Sequence, residues 1–489
     1  MAKLDSLNSW HSDWKQLRVG VIGLGVTGFS VADTLAELGA QLLVVADKAE
    51  PDLVDILDVL GVEHLIGPTG SQVPQRLIDF TPDVLVTSPG VKPDSAIMSW
   101  AQRNGITIWV DIDLAWRLRD KTDRIAQWFC ITGTNGKTTT TQLTTAMLLA
   151  GGVRAIAVGN IGTPILDAIR DPHGFDALVV ELSSFQLHYL GNIEPHSSAV
   201  LNLADDHLDW HGGFEQYRDA KAKVFENTHF SCVYNAQDSV TETMVENADV
   251  VDGARAIGFS LFTPARSQVG YVEDVLCDRA FLDDRANSAL EIAQLADLEC
   301  IGVVTPHLMA NVAAAAALAR SAGVTPENIR TAIREFRLDG HRIELVADSN
   351  GIAWFDDSKA TNPHAAAASL ASFNSVVWIV GGLLKGVDLT DLVAKYAGKL
   401  RAAIVIGQER EPVLQALAAG APGVPVFEVN EADHSRVMPR AVNLAGACAL
   451  EGDTVLLAPA AASMDQFNNY ADRGEQFAGA VKLWIAGAE

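Results

Sequence analysis

The sequence predicts an α/β fold built from three serial domains, and three observations support this. The chain has 489 residues, which is too long for one hydrophobic core, since single cores stop growing beyond about 250 residues. Apolar strand-like runs alternate with segments of helical spacing along most of the chain, a pattern typical of parallel sheets covered by helices. Three of the strands run into glycine-rich turns, at 23–28, 133–136 and 381–386.

Composition narrows the class of protein further. Apolar residues make up 48% of the chain and charged residues 20%, an ordinary mixture for a globular protein. The sequence shows neither a secretory h-region nor an apolar run of about 18 residues, so we expect no signal peptide and no membrane span. The five cysteines are scattered and free of C-x-x-C spacing, which favours a reducing, cytoplasmic location without structural zinc.

The charge balance excludes one broad class of partner. The chain carries 61 acidic and 36 basic residues, a net charge of −25. A field of this sign repels nucleic acids and anionic membrane surfaces, so we expect neither as a partner. A phosphate-bearing ligand must then be held locally, by glycine turns and a few well-placed cations.

The first glycine turn matches a dinucleotide-binding fingerprint. A short apolar strand leads into Gly23, Gly25 and Gly28, and a helix-like stretch follows. The second strand, 41–46, ends at Asp47, the acidic residue that this fingerprint places about twenty residues after the glycines. The pattern favours a phosphate-bearing ligand over a plain strand–turn–helix connection. It leaves open whether that ligand is NAD or another diphosphate.

The most informative stretch, ITGTNGKTTTT, begins at Ile131. It follows a strand-like run and precedes helical spacing, so Gly133, Gly136, Lys137 and Thr138 occupy a strand-to-helix turn. Glycines there let backbone N–H groups surround phosphate oxygens, and the helix N-terminus adds positive potential. Lysine reaches the terminal phosphates and threonine suits Mg²⁺. Although Ile131 replaces the first glycine of the common pattern, the stretch predicts ATP or GTP binding rather than a glycine turn with a surface lysine.

Polar side chains follow two further strands of the same region. The strand 177–180 ends in Glu181, and the strand 198–203 leads to His207. Because ligands of parallel α/β sheets lie beyond the carboxyl ends of the strands, these side chains and the phosphate loop predict a Mg²⁺–nucleotide site. His207 and His211 also have the i,i+4 spacing of zinc ligands, but a third His or Cys ligand is missing nearby, and we expect no zinc.

Other segments of the chain are less specific when each is read alone. Lys221 and Lys223 belong to a charged, helix-like stretch and are predicted to be surface lysines. Residues 240–300 are acidic, with short strand-like pieces and no motif. The alanine-rich segment 310–322 is predicted to be a packing helix, with Asn311 at its start.

A third α/β unit begins near Gly340. Its strand 376–380 runs into Gly381-Gly382 and then Lys385, a glycine turn with a cation. Further strands are predicted at 354–357, 402–406 and 454–457. The alanine- and glycine-rich segment 415–425 is predicted to be loop.

Together these motifs resemble those of the Mur ligases, most closely the members that add D-glutamate to UDP-N-acetylmuramoyl-L-alanine. The resemblance covers essentially the whole chain, and the family's own phosphate loop also lacks the first glycine. The stretches that carry it are GLGVTG at 23–28, SPG at 88–90, TGTNGKTT at 132–139, GNIG at 159–162, ELSSFQL at 181–187, DHLD at 206–209, YRDAK at 217–221, HRIE at 341–344, DDSKATN at 356–362, the glycines and lysine of 381–386, and SMDQFNNYADRGEQF at 463–477.

The resemblance implies a domain organisation and a reaction. Residues 1–118 would form a Rossmann-like domain for the UDP-sugar, 119–339 a P-loop ATPase domain, and 340–489 a Rossmann-like domain that binds the amino acid and closes on the central one. The enzyme would be a cytoplasmic monomer of peptidoglycan synthesis that uses ATP and Mg²⁺. ATP would activate the substrate carboxylate as an acyl phosphate, which the amine of D-glutamate would attack, without a covalent nucleophile from the protein.

The resemblance also implies a role for particular residues. The catalytic residues would be Lys137, Glu181, His207, Lys221 as an N-carbamate, and Lys359, and the metal ligands Thr138, Glu181, His207 and Lys221. ATP would contact Gly133, Thr134, Asn135, Gly136, Lys137, Thr138, Thr139, Asn311, Arg342 and Asp357. The uridine diphosphate would contact Gly25, Thr27, Asp47, Ser88, Pro89 and Gly90, and the muramoyl-alanine end Asn160, Ser183 and Gln186. Thr361 would face the reacting centre, and D-glutamate would contact Lys385, Ser463 and Tyr470.

Two positions depart from the family pattern. His307 is followed by Leu308 where the family usually has asparagine, near the implied adenine contacts. The segment 48–50 lacks the arginine often found just after the position of Asp47.

Alternative functions make different use of the motifs. An NAD-dependent dehydrogenase would use the first glycine turn but not the phosphate loop. A nucleotide-sensing scaffold would use the loop but give Glu181, His207 and Lys359 no role. Within the family, a folate polyglutamylating enzyme is the nearest alternative.

Overall fold

A computed structural model describes residues 2–68, 72–338 and 340–487. Its contacts divide the chain into two compact units. The first comprises the chain up to Leu203 with Trp210–Asp297 and Met309–Glu335, and the second comprises Ala204–Asp209, Leu298–Leu308 and the chain from Phe336 onward. Among the described residues, two mainly parallel sheets belong to the first unit and one to the second, which confirms the α/β prediction.

The first sheet has the strand order β3-β2-β1-β4-β5 and is parallel throughout. Because the order reverses at β1, the turn that follows β1 opens at a topological switch point, where α/β sheets bind ligands. The strands are β1 (Arg18–Ile22), β2 (Gln41–Ala46), β3 (Glu63–Ile66), β4 (Val84–Thr87) and β5 (Thr107–Trp109). The helices are α1 (Ala2–Asp5), α2 (Val26–Glu37), α3 (Pro51–Val59), α4 (Gln75–Phe80), α5 (Ala96–Arg103) and α6 (Asp111–Arg117).

The second sheet has the order β14-β13-β12-β11-β10-β9-β6-β8-β7. Strand β6 lies between β8 and β9, and its last five residues are buried, so the loop after β6 emerges from the middle of the parallel part. The strands are β6 (Gln127–Thr132), β7 (Ala155–Gly159), β8 (Ala177–Glu181), β9 (Ser197–Val200), β10 (Ser231–Asn235), β11 (Arg255–Phe259), β12 (Gln268–Val272), β13 (Val275–Asp278) and β14 (Leu290–Gln294).

Helices in this part of the chain begin with α7, which follows the phosphate loop. Its residues Leu143, Met147 and Leu148 are fully buried, as their helical spacing predicts. The helices are α7 (Lys137–Ala150), α8 (Ile165–Ile169), α9 (Ser184–Tyr189), α10 (Leu208–His211), α11 (Phe214–Ala222), α12 (Ser239–Glu246), α13 (Leu295–Leu298), α14 (Pro306–Ser321) and α15 (Pro326–Glu335).

The third sheet has the order β15-β16-β20-β17-β18-β19, with β15 antiparallel to β16 and the other pairs parallel. Its strands are β15 (Glu344–Ser349), β16 (Ile352–Asp356), β17 (Val376–Gly381), β18 (Leu400–Ile406), β19 (Val426–Glu428) and β20 (Thr454–Leu457). Its helices are α16 (Pro363–Ala371), α17 (Thr390–Tyr396), α18 (Glu411–Gly420), α19 (Val437–Cys448) and α20 (Tyr470–Ala486). Single turns of 3-10 helix occur at Trp14–Gln16, Lys223–Phe225, Ala397–Lys399 and His434–Arg436.

Several element predictions are confirmed and some are wrong. The strands at 41–46 and 454–457 coincide with β2 and β20. The loop prediction for 415–425 is wrong up to Gly420, because Val413, Ala416 and Leu417 share one helical face and are buried. The alanine-rich helix is confirmed but starts earlier, at Pro306.

The motif-free segment 240–300 contributes strands β11 to β14, which extend the second sheet, the last two by antiparallel pairing. The predicted domain limits at 118/119 and 339/340 stay predictions. Residue 339, like residues 1 and 489, lies outside the described part of the chain. Across the described ranges, none of the helices combines the length and apolar character needed to cross a membrane.

Candidate active site

The phosphate loop joins β6 to α7. Gly133 has a φ of +154° and Gly136 a φ of +81°, backbone conformations that favour glycine. The first bond of the α7 ladder runs from the N–H of Thr140 to the carbonyl of Gly136, at 2.9 Å. The N–H groups of residues 137–139 therefore precede the ladder, at the positive end of the helix dipole. This is the geometry of an anion-binding helix N-terminus.

Asn311 closes the loop from one side. A Cβ atom on Gly136 would lie 2.3 Å from Oδ1 of Asn311, so glycine is required there by packing as well as by φ. Asn311 lies in the second turn of α14, and the alanines that follow it are buried. The packing helix predicted from composition thus also carries a polar side chain to the phosphate loop.

Lys137 and a neighbouring asparagine hold the loop backbone. The ammonium group of Lys137 donates to the carbonyls of Gly133 and Thr134, both at 2.9 Å. The N–H of Asn135 donates to Oδ1 of Asn202 at 2.9 Å, and the side chain of Asn202 donates back to the carbonyl of Asn135 at 3.1 Å. These bonds hold the loop backbone in one conformation, which lowers the cost of ordering it on ligand binding.

Glu181 lies buried at the end of β8, with 2% of its surface exposed. Its Oε1 accepts a hydrogen bond from Nδ2 of Asn160 at 3.0 Å, and its backbone carbonyl accepts one from the N–H of Asn160 at 2.9 Å. Its Oε2 is buried and receives no hydrogen bond from any described residue. A buried carboxylate oxygen without a protein donor fits a hard cation such as Mg²⁺.

Lys221 contradicts the surface prediction made from its own segment, because only 2% of it is exposed. Its ammonium group donates to Oγ1 of Thr132 at 3.1 Å and to the carbonyl of Gly133 at 2.8 Å, and it lies 4.9 Å from the ring centroid of Tyr217. Lys137 donates to the same Gly133 carbonyl. Two cationic side chains thus converge on one neutral oxygen, an arrangement that like-charge repulsion disfavours.

Lys223, the second lysine of that segment, is partly exposed, in contrast to the buried Lys221. Its ammonium group donates to the carbonyl of His188 at 2.8 Å, in the last turn of α9. It therefore stabilises a helix end, whereas Lys221 serves the phosphate loop.

Ser183 and Gln186 form a capping box at the start of α9. The hydroxyl and the N–H of Ser183 both donate to Oε1 of Gln186 at 3.1 Å, and Oγ of Ser183 accepts the N–H of Gln186 at 3.2 Å. The other end of the Gln186 amide donates to the carboxylate of Asp111 at 3.1 and 3.4 Å. The substrate contact implied for Gln186 stays a prediction.

The first glycine turn divides its glycines between packing and open space. A Cβ on Gly23 would lie 2.6 Å from Oγ of Ser88, and one on Gly28 would lie 2.1 Å from the carbonyl of Gly23. A Cβ on Gly25 would meet nothing within 4 Å, which leaves room for close approach of a ligand. Asp47 is exposed at the end of β2. The remaining implied contacts, Thr27, Pro89 and Gly90, follow β1 and β4 on the same sheet.

In the second unit, the residues implied to contact ATP and the reacting centre lie around the end of β16. Asp357 is buried, and burial raises its pKa to about 6 although Ser369 and Arg342 act to lower it. The ammonium group of Lys359 lies 4.9 Å from the ring centroid of Tyr470. Thr361 is tied to Lys359 by a backbone bond of 2.9 Å.

The loops that carry Lys385 and Ser463 are paired through their backbones. Leu383 and Ala462 exchange N–H···O bonds of 2.9 and 3.1 Å, and a Cβ on Gly382 would lie 2.3 Å from the carbonyl of Ala462. Lys385 has a φ of +55°, an uncommon conformation for a residue with a side chain that often marks a functional site.

His207 also belongs to the second unit and has a φ of +53°. Its Nε2 lies 3.6 Å from Oδ2 of Asp206, and its ligation of Mg²⁺ stays a prediction. His211, its partner in the zinc alternative, belongs to the first unit, where its Nε2 lies 2.9 Å from the hydroxyl of Ser184. The expectation that these two histidines hold no zinc stays a prediction.

Comparison with known proteins identifies the family. The model of the MurD-like N-terminal domain of Mur ligases matches residues 17–110, that of the Mur ligase middle domain residues 131–319, and that of the Mur ligase glutamate ligase domain residues 341–461. These matches together span most of the chain. The chain belongs to the Mur ligase family.

Curated relatives and solved structures agree with this assignment. The UDP-N-acetylmuramoylalanine–D-glutamate ligase of Leifsonia xyli is 56% identical to this Mur ligase, over 99% of this chain and 96% of that protein. The protein of the same name from Streptomyces avermitilis is 47% identical, over 96% and 99%. The solved UDP-N-acetylmuramate–alanine ligase of Thermotoga maritima has a TM-score of 0.55 at 18% identity, covering 96% of this chain and all of that one, which shows the fold.

Sequence reasoning missed two supporting residues of this Mur ligase. Asn202 follows β9 within the predicted strand-end region, but nothing in its surroundings distinguishes it from other strand-end amides. Asp111 starts α6, 75 residues before its partner Gln186 along the chain. A signal that could have drawn attention to Asp111 is the D-I-D spacing with Asp113 just after the short strand β5, although such acids are usually solvated caps.

Proposed function

We propose that this Mur ligase joins the amino group of D-glutamate to the carboxyl group of UDP-N-acetylmuramoyl-L-alanine and converts ATP to ADP and phosphate. The observation that carries the proposal is the phosphate loop beside a buried carboxylate with an open oxygen, Oε2 of Glu181. The names and identities of the full-length relatives support the choice of substrates. The acidic amino-acid substrate and the nucleotide sugar are both anionic, so local cations must hold them in a chain of net charge −25.

Binding of ATP would use the loop and the start of α7. The N–H groups of residues 137–139 would receive phosphate oxygens, and Lys137 would move from the loop carbonyls to the terminal phosphates. The oxygen donors Thr138 and Glu181 fit Mg²⁺, which when bound would neutralise charge on the transferred phosphoryl group. The ligand role of His207 is part of the same proposal.

The chain's own residues would then govern amide formation. Activation as an acyl phosphate turns a poor electrophile into one that an amine can attack, and cations near the carbonyl stabilise the tetrahedral oxyanion. We assign this role to Lys359. Lys385, Ser463 and Tyr470 would hold D-glutamate, and the paired backbones of the loops carrying Lys385 and Ser463 would fix their spacing.

The state of Lys221 follows from its burial beside Lys137. The ammonium group would lose a proton, its nitrogen would attack CO₂, and a second proton would leave to give a carbamate. The cation would thereby be replaced by oxygen donors, which suit a Mg²⁺ site. The carbamate would also remove the convergence of two ammonium groups on the carbonyl of Gly133. We therefore propose that Lys221 is carbamylated in the active enzyme.

The direct test is a substrate screen scored by ADP release. UDP-N-acetylmuramoyl-L-alanine and other UDP-sugars are combined with D-glutamate, L-glutamate and other amino acids, and with a reduced folate as the competing acceptor. The proposal expects ADP only when the muramoyl-alanine substrate and D-glutamate are both present, and none from folded Lys137→Ala. Turnover with the folate and L-glutamate, or ADP release by Lys137→Ala at the wild-type rate, would refute it.

A further inference from the structure

Helix α6 follows the last strand of the first sheet, and helix α9 follows strand β8 of the second sheet. Two buried carboxylates of α6 contact α9 and the residues after it. Asp111 accepts from the Nε2 group of Gln186 at 3.1 Å, and Asp113 accepts from the N–H of Gly191 at 2.8 Å. Asp111 is 3% exposed, Asp113 6% and Gln186 1%. The two acids therefore hold α9 near both its ends, but only Asp111 reaches a side chain of the candidate site.

The contact with Asp111 fixes the direction of the Gln186 amide. An ionised carboxylate only accepts hydrogen bonds, so it requires the NH₂ end of the amide. At the other end, the N–H of Ser183 only donates, so it requires the carbonyl oxygen, at 3.1 Å. Both partners select the same orientation. The hydroxyl proton of Ser183 is then directed at Oε1 of Gln186, at 3.1 Å, which leaves its oxygen as an acceptor.

The orientation propagates towards the phosphate loop through a chain of hydrogen bonds. Ser183 follows Leu182, whose carbonyl accepts the hydroxyl of Thr132 at 2.8 Å. That hydroxyl oxygen in turn accepts from Lys221 at 3.1 Å. The segment from Glu181 to Ser183 is thus held by Thr132, just before the phosphate loop, and by the amide of Gln186.

We propose that Asp111 is a positioning residue that orients Gln186 and Ser183 for the UDP-linked substrate. This proposal rests on the proposed function for its kinetic consequence, but not for the orientation itself. Without Asp111 the buried NH₂ group of Gln186 loses its acceptor. The contacts with Ser183 alone then hold the amide, and its position is less tightly fixed. Asp111 acts through Gln186 and touches no reacting atom.

The kinetic test compares Asp111→Ala with Asp111→Asn and Asp113→Ala. Asp111→Ala should lower kcat/KM for the UDP-linked substrate by roughly tenfold to a hundredfold, since small displacements of positioning groups have effects of this size. The KM for D-glutamate should stay unchanged. Asp111→Asn keeps an acceptor oxygen of the same shape and should recover most of the loss. Asp113→Ala removes an equally buried acid from the same helix, and should lower the melting temperature without this selective change.

A second readout does not depend on the reaction. In protein labelled at the glutamine side-chain nitrogen, the amide NMR signal of Gln186 is assigned by its loss in Gln186→Leu. A shift and faster solvent exchange of this signal in Asp111→Ala, with recovery in Asp111→Asn, would support the proposal. An unchanged signal, or equal kinetic profiles for Asp111→Ala and Asp113→Ala, would overturn it. If the wild type joins no D-glutamate to any UDP-linked acceptor, the proposed function fails while the amide signal still decides the role of Asp111.

Discussion

At the scale of single residues, the environment of a side chain decides its chemistry more than its type does. Lys221 and Lys223 are two residues apart on one charged segment, yet Lys221 is buried among Thr132, Gly133 and Tyr217, and Lys223 supports a helix end. Burial disfavours the charged form of an ammonium group, and Lys221 is far more buried than Lys223. The carbamate proposal therefore concerns Lys221 and not Lys223.

Lys221→Ala should lower the rate of D-glutamate-dependent ADP release by roughly a hundredfold or more, since it removes a proposed metal ligand. Small carboxylic acids such as formate or acetate should restore part of that rate by supplying the missing oxygens. Lys223→Ala is the matched control. It should keep a rate near that of the wild type, and added carboxylic acids should not alter that rate. A native mass spectrum in which the fully active enzyme lacks the mass of one bound CO₂ would contradict the carbamate. Failure of the small carboxylic acids to restore any activity to Lys221→Ala would contradict it as well.

Asp111 offers a second residue-scale prediction, on stability. Burial raises its pKa from 3.8 to about 6, and the hydrogen bond from Gln186 opposes the shift. The neighbouring carboxylate with which it interacts electrostatically is that of Asp113. Because the pKa of Asp111 is higher in the folded protein than in the unfolded one, protonation of this carboxyl favours folding. Its contribution to stability is fully present below about pH 4 and is lost as the pH rises through about 6. The difference between these two pKa values corresponds to a loss of about 2 to 3 kcal/mol in the free energy of unfolding.

Asp111→Asn lacks this titration. Its free energy of unfolding relative to wild type, measured by urea denaturation, should therefore rise by about 2 to 3 kcal/mol between about pH 4 and pH 7. Asp55→Asn, at an exposed position on α3, is the control and should show a nearly constant difference. A flat difference for Asp111→Asn would mean that Asp111 is not desolvated in solution.

At the scale of elements, the phosphate loop combines backbone conformation with packing. Gly136 has a φ of +81° and no room for a Cβ because of Asn311. Gly152, just after α7, has nearly the same φ of +80° but open space around its Cβ position. The two glycines separate the cost of the left-handed conformation from the cost of the collision.

Gly136→Ala should weaken ATP binding by more than about tenfold, because the loop must move away from Asn311 and lose its alignment on α7. Gly152→Ala should cost about 1 kcal/mol of stability from its φ and leave ATP affinity near that of the wild type. Calorimetric titration with a non-hydrolysable ATP analogue measures both. Equal affinities for the two variants would show that the packing of Asn311 on Gly136 does not shape the ATP site.

At the scale of the whole molecule, each sheet carries a glycine turn after a strand, but the turns are not equivalent. The turn after β6 leads into α7 and is supported by Asn311 and Asn202. The turn after β1 lies at the switch point of the first sheet, with open space at Gly25. The proposed function assigns ATP to the former and the UDP-sugar to the latter, whereas a dehydrogenase would place NAD at the latter.

Calorimetry with the full-length protein distinguishes these assignments. UDP-N-acetylmuramoyl-L-alanine should bind, NADH should not, and Gly25→Leu should weaken UDP-sugar binding while leaving ATP binding intact, because a large side chain fills the space at that turn. Gly423→Leu, at another glycine with open space at its Cβ position and without a left-handed φ, is the control for general damage. Tight NADH binding without UDP-sugar binding would overturn the assignment.

The sequence by itself determined the fold class, the three glycine turns and the membership of the family. These features are local: a strand followed by glycines and a helix start leaves its pattern within a few neighbouring residues. The alternation that predicts β6, the phosphate loop and α7 is of this kind, as are the Gly133-to-Thr138 spacing and Glu181 at a strand end.

Only the tertiary structure decided which distant side chains support those motifs. From its own segment Lys221 is predicted to lie at the surface, but the packing of α11 buries it. Asp111 has the sequence context of a solvated acid, but the contact between α6 and α9 buries it. Burial and hydrogen-bond partners across tens of residues leave no periodic trace in the chain, because they depend on which helices the folded sheets bring together. The physical state of a charged group is therefore fixed by packing and not by its neighbours in sequence.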